Sequence, residues 1–311
     1  MLGCNSILNV YDLKYPLIAT YKKDGIRTEI GNGKLLSRSL KPIPNIQINE
    51  YLEVLVKYAM EKKVIIEGEL YVHGLRIGEI NMIVSSLDYN TKSYHNKIKK
   101  ALRDNELSKP FNYYISLPKE FELYVFDYIR NTGESYKERI ERAQELSVFP
   151  GVVVSTPCEI SNAMELSIMY NRAIKKGYEG LVLRDPKGYY KLGRSTLKEQ
   201  LFLKMKPIDT LTGSILGVTE ELKNTNTSFL DERGYMTKRN TLADKEETGR
   251  AAAFIVSYKG DEVKVTITGT DEFRTHVYQN IEKYMGRHIK FKGLLLGAKS
   301  KPRHTTMIEL I

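Results

Sequence analysis

The chain of 311 residues is poor in the side chains that build the commonest covalent staples and metal centres. Its two cysteines, Cys4 and Cys158, are too few for a disulfide framework or a cysteine-rich zinc site. Five scattered histidines argue against a histidine-built metal site. No apolar run approaches the roughly 18 residues that a membrane span needs. The start, Met1-Leu2-Gly3-Cys4-Asn5, lacks a basic segment followed by an apolar one, so a soluble, intracellular protein of cytoplasm or nucleus is expected. There is no internal repeat, no low-complexity tract and no G-x-x-x-x-G-K-S/T phosphate loop. No nonpolar stripe demands an oligomer, and a monomer without an obligate protein partner is expected.

What is present is ordinary for a globular protein. Hydrophobic residues make up 41% and charged residues 28%, which excludes disordered and fibrous classes. The length suits about two domains, each able to bury its own core. The formal net charge is +10, unevenly spread: residues 1–206 carry 32 basic and 24 acidic side chains, residues 207–311 only 16 and 14. A basic balance favours a polyanionic partner, although many basic domains bind none.

Residues 17–38 read as strands, with Gly31-Asn32-Gly33 as a hairpin turn between Thr28–Ile30 and Lys34–Leu36. Ile48, Leu52, Leu55 and Ala59 recur at helical spacing, which predicts one helix over about 46–61. Strands are expected at Val64–Val72 and Phe121–Ile129. Ser135-Tyr136-Lys137-Glu138 has the pattern of a capping box, opening a helix that turns Ile140, Ala143 and Leu146 inward. A further helix from about Ser161 to Gly177 precedes strands at 179–184 and 201–206. Pro207 is a plausible boundary between a domain at 1–206 and another at 207–311. Beyond it, a hairpin (253–258 with 263–267), a helix at about 271–285 and a strand at 289–292 suggest a small OB-type barrel. The polar stretch between Glu220 and Gly249 has little to bury and should project from the barrel.

Four segments place charged residues on strands that are otherwise apolar. Lys22 and Asp24 share a face at i and i+2, as do Glu67 and Glu69 around Gly68. Glu179 opens a strand beside Gly180, and Lys204 and Lys206 share one face of the strand at 201–206. If these faces converge, lysines meet phosphate oxygens, carboxylates meet a hydrated divalent cation, and glycines admit a nucleotide. For any single pair, the solvated face of an edge strand is the better account. For all of them together that account is hard to sustain.

Lys22-Lys23-Asp24-Gly25-Ile26-Arg27 resembles the K-x-D-G-x-R nucleophile motif of covalent nucleotidyltransferases, the group of ATP-dependent DNA ligases, RNA ligases and mRNA capping enzymes. Leu36-Ser37-Arg38-Ser39, Glu67-Gly68-Glu69-Leu70, Tyr124-Val125-Phe126-Asp127, Glu179–Arg184 and Leu203-Lys204-Met205-Lys206 resemble that group's further motifs, in its order. The runs Leu36–Ile43, Tyr190–Glu199 and Leu222–Thr227 narrow the likeness to minimal viral ATP-dependent DNA ligases of the Chlorella virus type. It covers nearly the whole chain. One departure is Lys301-Pro302-Arg303-His304-Thr305, which lacks the proline that usually follows the arginine of the C-terminal motif.

The resemblance implies an α+β fold, with an adenylation domain of antiparallel sheets and flanking helices followed by an OB-fold barrel carrying a DNA latch near 221–249. It implies sealing of 3′-OH/5′-phosphate nicks in duplex DNA through a lysyl-AMP and an adenylylated DNA end. ATP and Mg2+ (or Mn2+) are the implied cofactors. Lys22 would be the nucleophile, with Asp24, Lys204 and Lys206 assisting. Tyr21, Arg27, Glu69, Phe126, Glu179, Lys301 and Arg303 would contact the nucleotide, and Glu69 and Glu179 the metal. Glu67 is left outside the core site. Arg38, Arg194, Lys223, Lys238 and Arg239 would touch DNA. An RNA ligase or capping guanylyltransferase is the alternative within the group. From an ordinary lysine pKa, freeing the amine at neutral pH costs about 4–5 kcal/mol. Nearby cations, Lys204 and Lys206 among them, are expected to favour the neutral form.

Overall fold

Leu17, Ile18, Ala19 and Thr20 are all buried, so the first strand enters the protein interior before delivering Tyr21 and Lys22 to its rim. A computed structural model describes residues 1–4, 10–207, 209–241, 244–295 and 301–311. They form two units, Met1–Lys206 and Pro207–Ile311. The first unit runs β1 (Leu17–Lys22), β2 (Ile26–Gly31), β3 (Lys34–Ser37), α1 (Ile46–Tyr51), α2 (Glu53–Lys62), β4 (Ile65–Val72), α3 (Ile77–Ser85), α4 (Lys92–Arg103) and α5 (Phe111–Tyr114). It continues with β5 (Phe121–Ile129), α6 (Tyr136–Ala143), β6 (Val152–Val154), β7 (Cys158–Ile160), α7 (Ala163–Lys175), β8 (Gly180–Arg184) and β9 (Phe202–Met205).

Two sheets organise this unit. One has the order β3-β2-β4-β5-β6, the other β7-β1-β8-β9. Every pairing is antiparallel except that of β5 with β6. Ile48, Leu52, Leu55 and Ala59 pack in one core with Ile30, Ile66 and Leu123. Leu166, Met169 and Ala173 of α7 cover Leu17, Ala19, Leu181 and Leu203 of the other sheet. The expected helix over 46–61 is two helices. The apolar stripe holds, but the backbone breaks at Leu52 (φ −99°, ψ 8°), which closes α1 and opens α2. The Ser135 capping box is present, with Glu138 Oε2 accepting from Ser135 N at 2.9 Å and Ser135 Oγ from Glu138 N at 3.3 Å. Helix α4 includes Lys97-Ile98-Lys99-Lys100, a run that reads in the sequence as the solvated face of a helix, whereas α3 and α5 lie where no element was expected.

The second unit runs β10 (Asp209–Asn224), β11 (Ser228–Leu230), β12 (Met236–Lys238), β13 (Lys245–Tyr258), β14 (Asp261–Thr266), α8 (Asp271–Gln279), β15 (His288–Leu294) and β16 (Arg303–Leu310). Five strands close a barrel in the order β10-β13-β14-β16-β15 around Ile215, Phe254, Val256, Val265, Ile289 and Phe291. The α+β class with a C-terminal OB-type barrel is as expected. The helix expected over 271–285 stops at Gln279, where Asn280 leaves helical geometry (φ −128°, ψ 40°) before a short 3-10 turn. The polar stretch after Glu220 is a β-ribbon. β10 and β13 stay paired out to Asn224 and Lys245, and β11 pairs with β12 beyond them. Among the described residues, no helix is long and apolar enough to cross a membrane.

Candidate active site

Antiparallel pairing sets Lys22, the last residue of β1, opposite Gly180, the first of β8. The Glu179 amide donates to the Lys22 carbonyl at 3.0 Å, which fixes the carboxylate beside the ammonium. Gly180 has φ +142°, and a Cβ there would stand 2.0 Å from the Met205 carbonyl oxygen. Only glycine lets the three strands approach at this point. Gly25 has the same kind of duty, since a Cβ would meet Leu70 O at 2.5 Å and Glu69 Cγ at 2.7 Å. The turn after Lys22 therefore lies directly on β4 of the other sheet, beside Glu69.

Lys22 and Lys206 each form an ion pair with one oxygen of the buried Glu179 carboxylate. Lys22 Nζ also donates to the Lys23 carbonyl at 3.2 Å. Burial pushes the Glu179 pKa up, but the Lys22 and Lys206 ammoniums outweigh it and hold the group below the usual carboxylate range. Burial alone would lower Lys22, yet Glu179, Glu69 and Asp24 together hold it above the ordinary lysine value. The expectation that Lys204 and Lys206 tip Lys22 towards its neutral form is not met by the protein's own side chains. Lys206 spends its charge on Glu179, so carboxylates dominate around Lys22. The lysine pushed down is Lys204, to about 8, by burial and then by Lys22, Lys206, Arg27 and Arg38. Glu69 is raised by burial and by the charge of Glu179, with Lys22 and Arg27 compensating only in part.

Arg27, on β2, donates Nη2 to Glu67 Oε1 at 2.5 Å and places its guanidinium 5.4 Å from the Phe126 ring centroid. The Tyr190 hydroxyl donates to the same Glu67 oxygen at 2.5 Å. Tyr21 stacks on Tyr178, with centroids 4.5 Å apart and planes 14° from parallel. Asp24 lies in the turn between β1 and β2. Lys22, Asp24, Arg27, Glu69, Glu179, Lys204 and Lys206 thus converge electrostatically, with Tyr21 and Phe126 on the adjoining strands.

Arg38, which follows β3, also acts on the cluster through its charge on Lys204, and the other expected residues are dispersed. Arg194 donates Nη1 to the Gly3 carbonyl at 2.9 Å, bracing the N-terminal segment. Lys223 lies on the ribbon in β10, Lys238 ends β12 and donates to the Asn224 carbonyl at 3.1 Å, and Arg239 follows it. Lys301 and Arg303 belong to the second unit, Arg303 opening β16 and Lys301 two residues before it.

Sequence reasoning missed three contributors. Glu67, left outside the core site, is the buried partner that aims Arg27. Lys23 sits among the rings of Tyr71, Tyr124 and Tyr178, at 4.4, 5.0 and 5.1 Å from their centroids. Asp127, Arg139 and Arg184 form a fully buried ion-pair cluster behind the site, with Arg184 stacked 3.9 Å from the Phe202 centroid. Glu67 was the legible one, because it shares a strand face with Glu69 at i, i+2. Among the described residues, no three His, Cys, Asp or Glu side chains converge as a ready-made metal cage.

The family described as the ATP dependent DNA ligase domain matches residues 4–206. The DNA ligase of fowlpox virus (strain NVSL) is 27% identical over 219 residues, which is 66% of this chain and 34% of that protein. The chain therefore spans about a third of the length of that relative. The DNA ligase of Enterobacteria phage T3 is 25% identical over 273 residues, 73% of this chain and 76% of that protein. The crystal structure of Chlorella virus DNA ligase-adenylate superposes with a TM-score of 0.51 at 25% identity, covering 100% of this chain and 98% of that one.

Proposed function

The chain belongs to the ATP-dependent DNA ligase family, and from that premise we propose that it seals 3′-OH/5′-phosphate nicks in duplex DNA, as an intracellular monomer that uses ATP and a divalent cation. The observation that carries this reading is the Lys22–Glu179–Lys206 cluster, in which one buried carboxylate faces two ammoniums. In the proposed reaction the Lys22 amine attacks the α-phosphate of ATP, forming the phosphoramide bond as the bond to pyrophosphate breaks. The AMP group then passes to the 5′-phosphate at a nick. The adjacent 3′-hydroxyl displaces AMP, assisted by Asp24.

Lys204 and Lys206 suit the phosphate oxygens, where charge must be neutralised as it shifts. Arg27, held by Glu67, and Phe126 suit the nucleoside. Glu69 and Glu179 would hold Mg2+ or Mn2+, with phosphate oxygens and water completing a shell that needs few protein ligands. Glu69 fits that role because its buried charge is incompletely compensated. A bound divalent cation supplies charge neutralisation at the phosphates. The protein's own part is to orient Lys22, which requires Glu179 to release it. Lys301 and Arg303 are proposed pyrophosphate contacts, and Arg38, Arg194, Lys223, Lys238 and Arg239 proposed DNA contacts, the last three on a ribbon that acts as a latch.

The test is incubation with α-labelled ATP and magnesium, then denaturing electrophoresis. Wild type and Lys23→Ala should carry an acid-labile AMP adduct and Lys22→Ala none; an adduct on Lys22→Ala would overturn the assignment. Deleting 224–240 should spare the adduct and impair sealing of a nicked duplex, and unchanged sealing would refute the latch.

A further inference from the structure

The ribbon leaves the barrel at a sharp irregularity. Glu220 pairs with Ala251 and Leu222 with Glu247, so the single residue Glu221 faces the three residues Thr248–Arg250. Gly249 takes φ +67° there, in open space. Such a bulge bends and twists a strand pair, so the direction of everything beyond it is set at this point. A bulge this large would leave the ribbon free to swing unless something held it.

Helix α8 supplies the hold. Asp271, Arg274 and Tyr278 recur at i, i+3 and i+7, on one face of the helix. Arg274 Nη2 pairs with Glu221 Oε1 at 2.7 Å, and Arg274 Nε donates to the Ala251 carbonyl at 2.9 Å. The Tyr278 hydroxyl donates to Glu220 Oε2 at 2.6 Å, and the other oxygen of that carboxylate accepts from Gly249 N at 2.7 Å. Arg250 Nε lies 2.8 Å from Glu221 Oε2, and its Nη1 pairs with Asp271. Thr248 Oγ1 donates to the Glu221 carbonyl at 2.9 Å. Both strands of the ribbon base are thereby tied to one helix face, by charges that remain partly open to solvent.

We propose that the Glu220–Glu221–Arg250–Arg274–Tyr278 cluster is a brace that fixes the direction of the ribbon, and that these are positioning residues for the DNA-dependent steps. The second clause rests on the latch reading; the first does not. None of the five belongs to the proposed adenylation machinery, whose members are residues of the other unit together with Lys301 and Arg303. The brace works through ion pairs that are partly open to solvent, so salt weakens it in addition to its effect on DNA phosphates.

The experiment is limited trypsin digestion of the full chain, followed at the ribbon bonds after Lys223, Arg233, Lys238 and Arg239, together with adduct formation and nick sealing. Arg274→Ala and Glu221→Ala should each speed ribbon cleavage about fivefold in low salt, the double variant little more than either, and Arg274→Lys should restore most of the protection. In wild type, 0.5 M NaCl should raise ribbon cleavage towards the variant rate. Both variants should form the AMP adduct at the wild-type rate while the concentration of nicked DNA for half-maximal sealing rises several-fold. Wild-type ribbon cleavage in both variants would overturn the brace. If cleavage rises but sealing is unchanged, and the 224–240 deletion also seals normally, the brace stands and the latch reading falls.

Discussion

The Lys23 ammonium stands 4.4 Å from the centroid of the Tyr71 ring, turned away from its neighbour Lys22. Tyr71 is on β4 of the five-stranded sheet, whereas Lys23 directly follows β1 of the four-stranded one. The same ammonium reaches Glu122 Oε1, on β5, at 3.3 Å. Two consecutive lysines thus take separate duties: Lys22 faces the carboxylates of the site, and Lys23 bridges the two sheets that form it.

Lys23→Met keeps the apolar stem and removes the cation from its tyrosine surround. A desolvated cation–π contact is worth about 2 kcal/mol, and an exposed one about half that. The Lys23 side chain is 11% exposed, so a loss of about 1–2 kcal/mol is expected in urea unfolding. Lys23→Arg should recover most of it, and the AMP adduct should still form. Stability equal to wild type would show that the rings do not hold the charge.

Glu179→Gln removes the carboxylate that Lys22 and Lys206 share, leaving two ammoniums crowded beside Lys204. Misplacing a nucleophile by about 1 Å can cost about a hundredfold in rate. Adduct formation should fall by at least about that factor, measured as labelled AMP bound per minute at saturating ATP. A rate within about threefold of wild type would mean that Glu179 neither orients Lys22 nor serves the metal.

Much of the site was legible because strand chemistry has period two. Glu67 with Glu69 announces a shared face of β4 through spacing alone, and Lys204 with Lys206 does so at the end of β9, whereas Asp24 lies in the turn past β1 and shares no strand face with Lys22. What spacing could not supply was the sign of the balance around Lys22. That depends on which partner Lys206 selects, a matter of tertiary geometry. The fold was legible where apolar period and turn chemistry agreed, as at Gly31-Asn32-Gly33 and the Ser135 capping box. It was illegible at α3 and α5, which are joined by the hydrogen bonds of the buried Glu79 carboxylate to Ser108 and Tyr114, a contact that no local pattern announces. The break at Leu52 also escaped, because a buried stripe continues across it unchanged.

The ribbon basic residues make a separable prediction. Every DNA phosphate that a variant no longer neutralises should lower the slope of log affinity against log salt by about 0.9. Lys238→Ala and Arg239→Ala should each flatten that slope for nicked duplex by about one, with the AMP adduct formed at the wild-type rate. Equal slopes for variant and wild type would remove these two residues from the DNA interface.

Glu79 gives a pH prediction that can be worked through fully. Its Oε1 accepts from Ser108 N, Ser108 Oγ and Tyr114 Oη, each at 2.7 Å, and its Oε2 accepts from Arg76 N and Arg76 Nε, each at 3.0 Å. Burial pushes this carboxyl up, but the donors from Tyr114 and Ser108, with Arg76, outweigh it and bring the pKa down from 4.5 to about 2. The folded value lies below the unfolded one, so the native state holds the charged form more firmly. The stabilisation is complete above the unfolded pKa and is lost as pH falls from about 4.5 towards about 2. Its size is on the order of 2 kcal/mol. Glu79→Gln should therefore be less stable than wild type at pH 7, by about that amount, and the gap should narrow as pH falls through this window. Urea unfolding of both proteins at several pH values checks it: a gap that does not change with pH would show that the Glu79 charge contributes nothing to holding α3 and α5 together.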